Sequence, residues 1–211
     1  MPKIKIKKKQ PSIDMTPMVD TLCVVLTFLM LTTQMRQPEP VTVDTPFSIS
    51  ETPVPDFNRM TFLLSPTGTV FMNFDNGPDT ILKFRPKVLT AIGERYGIEF
   101  TEEEQREFEK YPSSIGVPMQ KMKEFLSNSD MNHRTSLQTG IPIDSADNQL
   151  SMWILYARQV NPNIQTCIRS DSNTSFEIVE KLLDILQDRN VNRFNLITSL
   201  KSAVINLDEI E

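Results

Sequence analysis

Apolar residues form one long run near the N-terminus of the chain. Residues 15–33 make 19 positions, about 28 Å of helix at 1.5 Å per residue, which is enough to cross the hydrocarbon of a bilayer. We therefore predict a single transmembrane helix over residues 12–36. Thr16 is placed to cap this helix, and Pro17 suits the first helical position, where an amide donor is not needed.

Further along, short β-type segments alternate with helical patterns. Residues 60–64 and 70–74 flank a Ser-Pro-Thr-Gly-Thr turn and predict a hairpin, and residues 164–170 and 194–199 predict two more strands. Helical spacing predicts helices over 146–159 and from a capping box at Thr174 and Glu177 to Asn190. The order β-β-α-β-α-β predicts a two-layer α+β domain over residues 58–211, with helices on one face of the sheet.

Two stretches interrupt this pattern. Residues 37–57 contain five prolines, which predicts an extended, semi-rigid linker rather than a packed element. Within it, residues 41–43 are candidates for a strand added to a partner's sheet, and a plain spacer is the alternative.

Residues 79–145 read as a helical insertion, with helices at 86–95 before Gly97, after a capping box at Thr101, and at 118–126. The acidic residues 102–109 predict a solvated helix face; a lobe that docks a partner is the alternative.

The distribution of charge predicts the orientation. Five lysines lie within residues 3–9, whereas residues 38–211 hold 16 basic and 25 acidic residues. The positive-inside rule therefore predicts a cytoplasmic tail over residues 1–11 and an exported C-terminal part. A cleaved signal peptide is the alternative, but alanine and glycine are absent before Gly68, so a small-residue cleavage site is missing. An acidic domain also argues against a nucleic acid partner.

Asp20 lies inside the predicted transmembrane helix. A carboxylate in hydrocarbon costs several kcal/mol, so the default interpretation is a proton or ion site facing a partner or a wet gap. Thr16, Cys23 and Thr27 share its helical face and form a polar stripe. The structural alternative is a carboxylate that reaches the interface or is favoured by the positive end of the helix dipole.

Other chemistry finds little support in the residues. His133 is the sole histidine and falls in a predicted polar loop, so a metal site is not expected. Cys23 and Cys167 fall on opposite sides of the predicted membrane boundary, and Cys167 is expected to be a small buried hydrophobe. We predict neither a cofactor nor an enzymatic activity.

Two motifs resemble those of one known family. Residues 12–20, Ser-Ile-Asp-Met-Thr-Pro-Met-Val-Asp, followed by a single span, resemble the Thr-Pro-x-x-Asp entrance of the ExbD/TolR biopolymer transport proteins. Residues 168–171 through Phe176, and Leu-Ile-Thr at 196–198, are similar to the family's strand, turn, helix and closing strand. The insertion has no counterpart in short family members.

The resemblance implies an inner-membrane subunit that works as a dimer inside an ExbB/TolQ-like ring, expected to be a pentamer, with Asp20 as the proton-carrying residue. A TonB-like protein would receive the motion and open outer-membrane transporters. Two alternatives stay open: a TolR-like envelope-integrity subunit that binds peptidoglycan, and a passive membrane-anchored periplasmic interaction module.

Overall fold

The computed structural model describes residues 14–32, 39–50, 52–55, 57–76, 82–128, 130–144 and 147–201. The chain divides into two units, Met1–Gln37 and Pro38–Glu211. The described helix of the first unit is α1 (Thr16–Thr32). The elements described in the second unit are β1 (Phe47–Ser48), β2 (Arg59–Leu64), β3 (Val70–Phe74), α2 (Phe84–Tyr96), α3 (Glu102–Lys110), α4 (Met119–Ser127), α5 (Met131–Leu137), α6 (Gln149–Val160), β4 (Gln165–Ser170), α7 (Phe176–Asp188), β5 (Phe194–Leu196) and β6 (Ser199–Leu200).

A four-stranded sheet in the order β3-β2-β4-β5 organises the second unit. β2 and β3 form the predicted antiparallel hairpin, with Leu64 opposite Val70 across the turn. β2 also pairs in parallel with β4 from Arg59–Gln165 to Leu64–Ser170, and β5 runs parallel to β4. The mixed α+β architecture predicted from the sequence is confirmed.

The helices pack against one face of this sheet. Side chains alternate across a strand, so Phe62 and its neighbours two residues away point into a core that also contains buried residues of α2, α3, α4, α6 and α7. The centre of that core is aromatic. Trp153 is 1% exposed, and its ring centroid lies 6.0 Å from that of Phe108 and 5.9 Å from that of Phe74. Two layers therefore bury one continuous core.

Within the insertion, the predicted helices are present. Gly97 ends α2 in the left-handed conformation, with φ of 69°, which glycine adopts at low cost. Thr101 forms the predicted capping box with Glu104, at 2.8 and 3.3 Å. The predicted apolar face of α4 is buried. Two expectations were wrong: Glu104 is only 8% exposed because it belongs to the capping box, and His133 lies in helix α5 rather than in a loop.

Other element boundaries also differ from prediction. Helix α6 starts at Gln149 because the side chain of Asn148 caps it by accepting from the Ser151 amide at 2.9 Å. The capping box predicted at Thr174 is wrong: Ser175 is the N-cap, and its side chain makes no capping hydrogen bond. The single closing strand is split into β5 and β6, because the chain leaves β4 after Ile197 and pairs instead with β1.

Removing Phe62 from the core should destabilise the second unit. Phe62 is fully buried, so Phe62→Ala should lower the free energy of unfolding by about 3–5 kcal/mol. Denaturant unfolding of the full chain can be followed by the fluorescence of Trp153, the only tryptophan. Phe176→Ala is the matched control, because Phe176 is 72% exposed and its loss should change stability by less than about 0.5 kcal/mol. Equal effects of the two substitutions would contradict this account of the core.

Candidate functional site

Asp14 precedes helix α1 by two residues and accepts hydrogen bonds from Thr16, the first residue of the helix. The amide and the hydroxyl of Thr16 both donate to Asp14 Oδ1, at 3.1 and 2.6 Å. The first helical amide bond runs from Val19 to the carbonyl of Met15. The prediction that Thr16 caps the helix was therefore wrong, and Pro17 follows one residue after the first helical position. Asp14 supplies the acceptor because its short side chain reaches an otherwise unpaired amide.

The predicted polar stripe lies on one helix. Thr16, Asp20, Cys23 and Thr27 all fall within α1, and their spacing of 4, 3 and 4 residues places them on one face. The Thr27 hydroxyl donates to the carbonyl of Val24 at 2.9 Å, so its proton is already engaged. The Asp20 carboxylate, in contrast, has no hydrogen bond or ion pair among the described residues. Asp20 is thus the charged group of this face that a second molecule can reach.

The apolar side chains of α1 are exposed. None of its residues is buried, and the large apolar side chains from Met18 to Leu31 are between 51% and 86% exposed. Across the described residues, none of the helices combines the length and the hydropathy that crossing a bilayer requires. The transmembrane helix predicted over residues 12–36 is therefore not confirmed, and residues 12, 13 and 33–36 of that prediction lie outside the described residues.

In the second unit, residues 39–50 form an extended segment, which we call the strap. Val43 is 7% exposed and packs with Leu63 and Phe71 on the face of the sheet opposite the helices, and Val41 packs beside it. The expectation that the linker is an unpacked element was wrong for this part. Residues 41–43 form no strand, and the strap's strand is β1, which pairs in parallel with β6. Two valines cover apolar side chains that the helices do not reach.

Asp171 holds the middle of the strap. Its carboxylate accepts from the Asp44 amide at 2.9 Å and from the Asn173 amide at 2.8 Å. The Ser172 amide and hydroxyl both donate to the Asp44 carbonyl, at 2.9 and 3.0 Å. Hydrogen bonds from the backbone amides of Asn173 and Asp44 hold the pKa of the Asp171 carboxyl below its ordinary value. The turn after β4 therefore binds the strap through charge-assisted hydrogen bonds.

An ion pair holds the N-terminal end of the strap. Arg169 Nη1 donates to both carboxylate oxygens of Glu39, at 2.9 and 3.0 Å. At the other end, the Thr45 and Ser199 hydroxyls lie 2.6 Å apart, and the Ser199 amide donates to the Pro46 carbonyl at 3.0 Å. The strap is thus held at three places by residues of β4, the turn after it and β6.

Comparison with known proteins gives one match. Residues 6–201 match the ExbD family, described as "Biopolymer transport protein ExbD/TolR". The chain belongs to the ExbD/TolR family. Neither the curated proteins nor the solved structures contain a significant match. Because the match covers both the Thr-Pro-x-x-Asp segment and the last strands, ExbD/TolR membership applies to the two units, including the insertion within the second.

The residues singled out from the sequence all lie in α1, whereas the strap contacts of this ExbD/TolR chain were not anticipated. Asp171 was noted only as part of a family-like turn, although the string Asp-Ser-Asn-Thr is typical of a side chain that accepts from the amide two residues on. The Glu39–Arg169 pair spans 130 residues, so local sequence carries no signal for it.

Cys167 is fully buried, as predicted. Among the described residues, no three potential metal ligands cluster together.

Docking of the strap should depend on the charge of Asp171. A lowered pKa means that this contact is complete above about pH 4, the ordinary value for a carboxyl, and is lost as the pH falls through the lowered pKa. Asp171→Asn should mimic the acid state at neutral pH and speed exchange of the Asp44 amide, measured by hydrogen exchange on the full chain. Asp184→Asn, an exposed site on α7, should leave that exchange unchanged. Unchanged protection of Asp44 in Asp171→Asn would contradict the assigned role.

Proposed function

We propose that this protein is the proton-carrying subunit of an energy-transducing complex of the bacterial inner membrane. Residues 12–36 would form the single membrane span, with residues 1–11 in the cytoplasm and residues 58–211 in the periplasm. An ExbB/TolQ-like ring would surround a dimer of these spans. A TonB-like protein would carry the resulting motion to transporters of the outer membrane.

The observation that carries this proposal is the position of Asp20. Its carboxylate lies on the polar face of α1, a helix whose large apolar side chains are exposed. None of the described residues forms a hydrogen bond or an ion pair with it. A charge placed among apolar side chains needs a partner or water, because hydrocarbon offers neither. Since the part of the chain that the structure describes supplies no partner, we expect a neighbouring subunit or a narrow wet path to do so.

Proton transfer is the chemistry that such a group can perform. Low polarity favours the neutral acid, whereas contact with water or a positive group favours the carboxylate. A carboxyl that meets these two environments in turn takes up a proton in one and releases it in the other. Each charge moved through 100 mV is worth about 2.3 kcal/mol, which the complex can convert into motion.

The second unit supports a mechanical role rather than an enzymatic one. The strap joins the segment that follows α1 to a sheet with its own aromatic core. Its contacts are an ion pair, a few hydrogen bonds and two valines, each of modest energy. A connection of this strength can be made and broken during a cycle without unfolding the domain beside it.

Asp20→Asn is the deciding substitution. The amide has the same shape but carries no exchangeable proton of acidic strength, so expression and assembly should persist while uptake driven by the proton motive force is lost. Asp14→Asn is the matched control, because an asparagine keeps the oxygen that accepts from Thr16 and should retain most uptake. Normal uptake by Asp20→Asn would remove the proposal.

An exchange of the anchor separates this proposal from a passive tether. Replacing residues 12–36 by an unrelated single span should abolish uptake, because the stripe that meets the ring would be gone. A passive module would tolerate the exchange.

Pull-down on purified cell wall, with and without residues 37–57, tests the TolR-like alternative: retention on the wall would favour envelope maintenance over transport.

A further inference from the structure

A groove beside the strap is lined by residues of β2, β3 and β4 and by Arg85 of α2, and it is rich in arginine. Its volume is about 400 Å³, within the range of small-molecule sites. We call it the arginine groove. The residues that matter here are Arg59, Arg85, Arg169, Asn73, Asp75 and Glu39.

The strand register places two of these arginines at opposite ends of the groove. Arg59 on β2 pairs with Gln165 on β4, and Arg169 lies four residues further along β4. At about 3.3 Å per residue, their backbones are about 13 Å apart along the strand direction. Thr61 on β2 pairs with Asn73 on β3, and both residues line the groove with polar side chains.

Arg85 forms the buried wall of the groove. It is 6% exposed and donates to the Tyr111 carbonyl through Nη1, and its guanidinium lies over the rings of Phe74 and Phe108. Its Nε is buried and has no hydrogen-bond partner among the described residues. A buried guanidinium with an unused donor is costly unless an acceptor is supplied. Burial lowers its pKa to about 10, so it remains charged at neutral pH.

The charge of the groove depends on the strap. Three guanidinium groups face two carboxylates, those of Asp75 and Glu39. Asp75 follows β3 directly and is held by the Asn58 amide at 3.2 Å, so it belongs to the sheet. Glu39 belongs to the strap and is 43% exposed. When Glu39 leaves, the groove carries an excess of two positive charges.

We propose that the arginine groove is a binding site for a small dicarboxylate, which competes with Glu39 for Arg169. Arg169 already binds one carboxylate, that of Glu39, through Nη1 alone. A guanidinium can bind a free carboxylate through two parallel hydrogen bonds, which is the stronger geometry. The second carboxylate would reach Arg59, and the positive charge of Arg85, which also lines the groove, favours an anion there. Because Glu39 is part of the strap, occupancy of the groove is linked to the position of the strap.

Calorimetric titration of the full chain in detergent with glutarate tests this site. Wild type should bind glutarate saturably, and Glu39→Gln should bind it about two- to five-fold more tightly, because an exposed competing ion pair is removed. Arg169→Gln and Arg59→Gln should each weaken binding about ten-fold, since each removes a charge-assisted hydrogen bond. Arg106→Gln on α3 is the matched control, because Arg106 does not line the groove and pairs with Glu102, and it should bind as wild type does.

Several outcomes would overturn the proposal. These are no saturable heat with glutarate in either wild type or Glu39→Gln, equal binding of the neutral glutaramide, and equal binding of sulfate, which would indicate a non-specific anion surface. The same loss in Arg106→Gln as in Arg169→Gln would also overturn it. Trp153 fluorescence confirms that each variant is folded. The site does not involve Asp20, so Asp20→Asn should bind glutarate normally, and failure of one proposal leaves the other standing.

Discussion

The parallel pairing of β2 with β4 is the interaction on which the second unit depends. It joins six residue pairs across a sequence separation of about 105 residues, and it places the hairpin in register with the C-terminal strands. Everything between β3 and β4 must therefore return to the same sheet, which is why the insertion folds as helices packed on one face. The register also determines the two faces: alternate residues of β2 enter the aromatic core, and those between them face the strap.

The two faces of the four-stranded sheet are stabilised by different interactions. The helix side is a dry core of aromatic and aliphatic side chains around Trp153, and its stability comes from burial of apolar area and from close packing. The strap side has a small apolar patch, one turn that binds the strap through Asp171, and a groove whose positive charge Glu39 partly offsets. Contacts of the second kind are weaker individually and sensitive to charge, so this is the face on which ligands, pH and salt can act.

The first unit presents a complementary problem. Helix α1 exposes its apolar residues, so it is not packed against other described elements. It also carries a carboxylate without a described partner, which a purely lipid-facing helix would not accommodate. Membership of the ExbD/TolR family supplies the context in which both features have a use. A ring of neighbouring helices would cover the apolar surface and give Asp20 the alternating surroundings that proton transfer requires. In the proposed function the energy would enter at this helix, and the strap lies on the covalent route from it to the sheet.

Much of the fold was predictable because its signals are local. The hairpin, the strand at 165–170, the capping box of Thr101 and Glu104, the buried face of α4 and the burial of Cys167 follow from alternation, helical spacing and turn residues. Boundaries failed where a cap was chosen by context, as at Asn148 and Asp14, or where a helix lacked a clear apolar period, as around His133.

The sequence by itself determined the α+β class, the family and the prominence of Asp20, because an acidic residue in an apolar run and a Thr-Pro-x-x-Asp string are visible without any coordinates. Only the tertiary structure decided that the strap packs on the sheet, that β6 pairs with β1, and that three arginines from β2, α2 and β4 line one groove. The physical reason is separation along the chain. Glu39 and Arg169 become neighbours only after a parallel sheet has closed a long loop, and no local pattern records the closure.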